Sequence, residues 1–256
     1  MFLRSNVRAA GLAYEGKPLQ AKYLAAFEDG RIVAVAAHCW NDMLLVQAPV
    51  HIEAVARAAV AHSERRIAGI SGPADQVAAA RHALGLDERP TPKFGREELF
   101  ALDLADLVVP AALTGGHWIT RHPRADELDR MAAWRVDFAL EALKRPDGPE
   151  VREDAQREVM LLHEREADWV LLDQGEVVAY SAFNAALPDI VQVGGVWVPL
   201  ALRRRGYGRG VVAGSLLDAQ SRGVTRAVLF AEREDAKRAY VGIGFVPKGD
   251  FGLLLF

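Results

Sequence analysis

Gly194-Gly195-Val196-Trp197-Val198-Pro199-Leu200-Ala201-Leu202-Arg203-Arg204-Arg205-Gly206-Tyr207-Gly208-Arg209-Gly210 is the stretch on which the reading of this chain turns. The run Ile190 to Val198 reads as a strand and ends at Pro199. An arginine-rich loop with glycines follows, and Val211 to Gln220 reads as a helix. A strand, a glycine loop and a helix N-terminus together make an anion site. First-turn N–H groups point outward, the helix dipole adds positive potential, and glycine lets a ligand approach the backbone. Arg203, Arg204 and Arg205 add charge at the same place. The ligand implied is a pyrophosphate.

Two widespread pyrophosphate loops fail here. G-x-G-x-x-G is broken because Val211 stands where the third glycine belongs, and no Gly-Lys-Ser/Thr occurs. What fits is R-x-x-G-x-G, formed by Arg203, Gly206 and Gly208. That pattern resembles the coenzyme A loop of the GNAT acetyltransferase superfamily. A βα turn that needs glycine for its own geometry would give the same spacing, so the rest of the chain has to decide.

The chain has 256 residues, 51% of them hydrophobic, enough for one large or two small domains with a sizeable core. A net charge of −3 argues against general nucleic-acid binding. Cys39 is the single cysteine, which excludes an internal disulfide and a cysteine zinc site and suits a reducing compartment. The N-terminus lacks an apolar signal region and no run approaches a membrane span. The expectation is a soluble cytoplasmic protein with no metal and no membrane or nucleic-acid partner.

Along the chain, helices are expected at Asn6–Ala13, Ile52–Ala61, Asp75–Leu84, Asp126–Leu143, Val151–His163 and Asp235–Gly242. Strands are expected at Tyr23–Phe27, Arg31–Cys39, Met43–Gln47, Ile67–Ser71 (broken by Gly72-Pro73), Glu98–Val109, His117–Arg121, Trp169–Leu172, Val177–Phe183, Ala227–Ala231 and, in two pieces, Phe245-Val246 and Phe251–Phe256. Pro110–Gly116 is the linker candidate.

The two halves run in parallel. The hairpin turn at Gly30 repeats at Gly175, a shift of 145; Arg66-Ile67 repeats as Arg226-Ala227, a shift of 160. The added residues fall at the glycine-arginine loop, where the first half has Pro49-Val50-His51-Ile52-Glu53. Two domains follow, residues 1–112 without the loop and residues 113–256 with it. The fold class expected is α/β: two tandem units, each a mixed, mostly antiparallel sheet flanked by helices.

The second half, from about residue 116, resembles GNAT enzymes in three features: the strand entering R-x-x-G-x-G, the segment Ala236-Lys237-Arg238-Ala239-Tyr240-Val241-Gly242-Ile243-Gly244-Phe245, similar to A-x-x-x-Y-x-x-x-G-F, and the order of elements. The tandem arrangement is similar to that of mycothiol synthase and other two-domain members, with the first copy degenerate. The resemblance implies acetyl-CoA as co-substrate and an amine acceptor, small molecule or peptide. The cofactor residues are then Val196, Trp197, Val198, Arg203, Arg204, Arg205, Gly206, Tyr207, Gly208 and Arg209.

Gly194-Gly195 inside a strand indicates a bulge or splay that exposes backbone groups of Val196 and Val198, able to pair with pantetheine amides. Tyr240 is the candidate catalytic acid, since a phenol can protonate a leaving thiolate. No base is evident. The strand carries only Gln192, Glu232 and Glu234 lie in a loop, and Arg233 stands where relatives often have asparagine. Trp134 is a candidate wall of the acceptor pocket. Two rival readings are a non-catalytic acyl-CoA-binding module and a nucleotide-binding protein. His163-Glu164-Arg165-Glu166-Ala167 lacks the second histidine of a zinc motif, and Gly69-Ile70-Ser71-Gly72-Pro73 lacks the last glycine of a nucleophile elbow.

Overall fold

The computed structural model describes residues 1–256, apart from the side chains of Lys93 and Phe94. Its elements in chain order are α1 (Phe2–Ala10), β1 (Ala21–Glu28), β2 (Arg31–Cys39), β3 (Met43–Gln47), α2 (Ile52–Ser63), β4 (Gly69–Pro73), α3 (Ala74–Ala83), β5 (Lys93–Asp103), α4 (Ala111–Thr114), β6 (Trp118–Arg121), α5 (Leu128–Glu141), α6 (Pro149–Glu164), β7 (Asp168–Asp173), β8 (Glu176–Leu187), β9 (Ile190–Trp197), α7 (Tyr207–Ser221), β10 (Arg226–Ala231), α8 (Glu234–Val241) and β11 (Val246–Leu255). The class is mixed α/β. The chain divides into two compact units, Met1–Glu98 with Gly249–Phe256, and Leu99–Lys248. The last strand of the chain thus completes the first unit, and residues 99–103 of β5 belong to the second.

In the first unit β1, β2 and β3 run antiparallel in sequence, β3 pairs parallel with β4, and β4 pairs antiparallel with β11. The β1–β2 turn places Asp29 at φ 47° and Gly30 at φ 74°, the positive pair that a two-residue hairpin loop needs. α2 and α3 lay Val55, Ala56, Ala59, Val77 and Ala80 against Leu44, Val46, Ile70 and Leu254. Small helix residues let backbones approach the sheet closely. The same crowding explains β4. A Cβ on Gly69 would meet the Leu254 carbonyl oxygen at 2.3 Å, and one on Gly72 the Val46 oxygen at 2.5 Å. Gly72-Pro73 therefore continues the strand rather than breaking it.

In the second unit β6, β7, β8 and β9 are antiparallel neighbours, β9 pairs parallel with β10, and β5 lies beside β10. The β7–β8 turn repeats the first hairpin, with Gln174 at φ 52° and Gly175 at φ 85°. Alternate side chains of β7 go to opposite faces. Trp169 and Leu171 join Val211, Val212 and Leu216 of α7, while Val170 and Leu172 join Met131 of α5 and Val159 and Leu162 of α6. The sheet of this unit is therefore covered on one face by α7 and on the other by α5 and α6.

Several boundaries move for local reasons. α1 lies at Phe2–Ala10 instead of Asn6–Ala13, because Gly11 turns to φ 72° and its N–H caps Val7. The strand expected through Val109 stops at Asp103, whose carboxylate accepts from Ala105 N and starts a 3-10 turn at Leu104–Asp106. The linker Pro110–Gly116 holds the single turn α4. β11 is one continuous strand where two pieces were expected. α7 begins at Tyr207, four residues before the expected Val211, because Gly206 takes the left-handed N-cap conformation and its carbonyl accepts from Gly210 N.

Candidate functional site

The site begins with a parting of strands. β9 runs to Trp197 and β10 to Ala231, yet their parallel register stops at Val193 opposite Leu229. Beyond it, Gly194 to Trp197 have an edge open toward β10. On the other edge the β8–β9 register is irregular between Tyr180 opposite Trp197 and Ala182 opposite Gly194, and Gly195 sits at φ 60°. Glycine is required at both positions. The Asn184 amide nitrogen occupies the place of a Gly194 Cβ, 1.9 Å from it, and Gly195 needs a left-handed backbone. The Gly-Gly pair thus produces the expected bulge, and half-buried Val196 and Val198 flank the parting.

After Pro199 a 3-10 turn, Leu200–Leu202, leads into the arginines. Arg203 is fully engaged by protein. Its Nε donates to Val198 O at 3.0 Å, and its two Nη atoms donate to both oxygens of Glu141 at 2.7 and 2.9 Å. Its guanidinium also lies 4.8 Å from the Trp197 ring centroid. Arg233 Nη1 reaches the same Glu141 oxygen at 3.0 Å. Arg203 above all, through its hydrogen bonds, holds the Glu141 carboxyl below its usual range. The carboxylate so ties α5, the loop and the segment after β10 together.

Arg204, Arg205 and Arg209 are exposed, and no carboxylate pairs with them among the described residues. They surround the start of α7, where Gly206 offers no capping side chain and the first turn holds no acid. The first-turn N–H groups there have no intrahelical partner. The three glycines do different work. Gly206 adopts φ 86°, and Gly210 gives way to Trp118, whose ring lies 2.7 Å from a would-be Cβ. A Cβ on Gly208 would meet only Val198 Cγ2 at an ordinary 3.7 Å. The packing does not require glycine there, and the space beside it is open. Tyr207 turns inward, its hydroxyl donating to Asp173 at 2.5 Å.

Tyr240 is buried on α8, its ring 6.2 Å from that of Phe245. Burial first, then the Asp235 charge, push its phenol well above the usual value. Arg233, in place of an asparagine, also pairs with Asp235. A cavity of about 420 Å³ lies between α5 and the end of β9, lined by Asp137, Leu140, Glu141, Trp197, Pro199 and Leu200. Trp134 packs against the α5–α6 core instead, and Trp197 supplies the aromatic wall. Glu232 and Glu234 are exposed, and Glu234 pairs with Lys237. Glu141 was not legible as a site residue, because nothing in the sequence links it to an arginine 62 positions away.

Among the described residues no group of three His, Cys, Asp or Glu is placed to hold a metal, and no helix is long and apolar enough to cross a membrane. Residues 128–245 match the Acetyltransferase (GNAT) family. No curated protein matches the chain. Among solved structures, a GCN5-related N-acetyltransferase from Kribbella flavida is 19% identical at a TM-score of 0.62, covering 99% of this chain and 91% of that one. A GNAT-family acetyltransferase from Colwellia psychrerythraea is 14% identical at 0.52, covering 92% and 85%. A tandem GNAT protein from the clavulanic acid biosynthesis pathway is 14% identical at 0.54, covering 99% and 86%. Residues 128–245 are thus similar to the GNAT acetyltransferase family, and the fold is the one these structures share.

Proposed function

We propose that the protein is an acetyl-CoA-dependent N-acetyltransferase acting on an amine, and that residues 113–256 hold the site while residues 1–112 are a degenerate copy. The observation that carries this is the parting of β9 from β10 directly before a glycine-arginine helix N-terminus. When bound, acetyl-CoA supplies an activated acyl thioester. Backbone groups of Val196 and Val198 pair with the pantetheine amides beside Trp197. First-turn N–H groups of α7, with Gly206, Tyr207 and Gly208 as backbone donors, receive the pyrophosphate, and Arg204, Arg205 and Arg209 neutralise it. Arg203 braces the loop through Glu141 and Val198 O. Tyr240 holds a proton at its hydroxyl, and its raised pKa keeps it protonated at neutral pH. Buried Cys39, the single cysteine, suits a reducing, cytoplasmic setting.

The repeat has structural support in each unit by itself. The β1–β2 pairing shifts register at Ala26/Phe27 and the β7–β8 pairing at Leu171/Leu172, again 145 positions apart. In Tyr240→Phe turnover should fall roughly 10²–10⁴-fold with acetyl-CoA affinity nearly unchanged. Wild-type turnover would reduce Tyr240 to a packing residue.

A further inference from the structure

β9 brings no base to the parting: Gln192 is an amide, and its nitrogen donates to Val193 O. The acidic groups of the neighbouring strands are placed differently. Asp168, at the start of β7, is fully buried, and neither carboxylate oxygen has a hydrogen-bond partner. Tyr180 of β8 lies on the same face of the sheet, opposite Val170 on one side and Trp197 on the other. Its hydroxyl is also buried without a well-formed hydrogen bond. Its ring lies against Gly195, with Cε1 at 4.0 Å from where a Cβ would stand, so the missing side chain leaves the phenol bordering the bulged backbone. A buried carboxylate and a buried phenol, diagonal neighbours on one face of β7 and β8 and both left without hydrogen-bond partners, call for a functional reason.

We propose that Tyr180 and Asp168 form a proton relay leading from the open edge of β9 into the α5–α6 face of the sheet, with Asp168 taking the proton of the acceptor's ammonium. This rests on the acetyl-transfer reading above. A neutral phenol accepts through its oxygen while it donates its own proton. The N–H bond of the ammonium breaks as an O–H bond forms at Tyr180, and the phenol's original proton passes to Asp168. The products are a free amine, whose lone pair can attack a carbonyl, and a neutral carboxylic acid.

The surroundings match these roles. Burial, the Asp168 carboxylate and Glu158 raise the Tyr180 phenol well above its usual value, against the opposing pull of Arg135, so it stays neutral. Burial pushes Asp168 up to about 6, against the opposing influence of His163 and His122, so it is a base of useful strength near neutrality. His163 of α6 has Nδ1 at 3.7 Å from Asp168 Oδ1 and is partly exposed, which gives the proton an exit. His122, after β6, contacts the Asp168 carbonyl oxygen at 2.7 Å. Arg135 of α5 and Glu158 of α6 neutralise each other beyond Tyr180, at 2.9 and 2.6 Å.

The test combines three readouts. First, acetyl-CoA binding by calorimetry reports on the parent reading; absence of binding would overturn both. Second, thiol release from acetyl-CoA is followed from pH 5 to 9 with ethanolamine as the probe amine. Wild-type rates should rise through an acid limb near 6. Asp168→Asn and Tyr180→Phe should lose that limb and fall roughly 10²–10⁴-fold, with unchanged acetyl-CoA affinity, and Asp168→Glu should recover part of the rate. Third, in the free protein, carboxyl-carbon NMR should show one aspartate titrating near 6 that is absent from Asp168→Asn. An ordinary titration of Asp168, wild-type pH profiles in both variants, or no amine-dependent thiol release from a protein that binds acetyl-CoA would overturn the relay and leave the cofactor reading standing.

Discussion

α2 and α7 both follow a strand and a proline, and both start from a left-handed N-cap, His51 at φ 53° and Gly206 at φ 86°. Their backbones therefore present the same kind of free first-turn N–H groups and the same positive dipole end. The side chains then diverge. At α2, His51 Nε2 is bound to Glu28 at 2.7 Å, and Glu53 in the first turn pairs with Arg57 at 3.0 Å. Two carboxylates, Glu28 and Glu53, are thus paired at this helix start. At α7 the first turn has no acid, and three exposed arginines stand around it without carboxylate partners among the described residues. A helix N-terminus by itself thus does not make an anion site. The charges and the bulk around it decide.

The buried polar groups show a similar asymmetry. In the first unit His38 is fully buried, with Nδ1 at 2.5 Å from Ser63 Oγ and Nε2 at 3.3 Å from Asp42 O. Arg65 is held by Tyr14, Asp42 and the Cys39 and Trp40 carbonyls. Among the described residues the first unit leaves the Tyr23 hydroxyl buried without a partner, and the second unit leaves polar atoms of Tyr180, Trp197, Gln192 and Asp168, among others, in that condition. Two of these residues, Gln192 and Trp197, lie on β9, and Tyr180 lies opposite Trp197.

Four measurements would break or sharpen this contrast. The largest effect is expected for Gly208→Val. Acetyl-CoA should stabilise the wild type by about 2.7 kcal/mol at a hundredfold excess over its dissociation constant. The variant should lose that shift entirely while melting normally without ligand, since a Cβ there meets only Val198 at 3.7 Å. His51→Gly should leave the shift intact, and calorimetry should give one site per chain. Two sites per chain would end the contrast between α2 and α7.

Next comes Asp168→Asn, read by chemical denaturation against pH. The folded carboxyl sits at about 6, above its ordinary 3.8, so the folded state holds the proton more tightly. Wild-type stability should therefore fall as pH rises from about 4 to 6 and stay lower above that. The asparagine variant should be more stable than wild type at pH 8, by about 1–3 kcal/mol. A destabilised variant would mean that the carboxylate is a structural partner of His163. Smaller again, each of Arg204→Ala, Arg205→Ala and Arg209→Ala should weaken acetyl-CoA binding by about 0.3–1 kcal/mol, with the difference shrinking at high salt. Salt-independent losses would point to shape rather than charge. Smallest is Glu28→Gln, whose exposed pair with His51 should change stability by no more than about 1 kcal/mol and give α2 no acetyl-CoA binding.

Much of the site was legible because its signals are local. R-x-x-G-x-G, the Gly-Gly bulge and the two hairpin turns each lie within a few residues, where φ preferences and helix-end chemistry act directly. Arg203 shows the other side. Its motif position suggested a phosphate contact, and its guanidinium is spent on Glu141 and Val198 O. Asp168 and Tyr180, twelve positions apart on different strands, carried no local pattern to single them out.

The sequence by itself determined the α/β class, the hairpin turns and the glycine-arginine entrance to α7, because periodicity, turn residues and charge are properties of short segments. Only the tertiary structure decided where β9 leaves β10, that the last strand closes the first unit by pairing with β4, and which carboxylate meets which arginine. Those outcomes depend on strand register and on contacts between residues far apart in the chain. Register is set by packing of whole faces against one another, which no short stretch of sequence encodes.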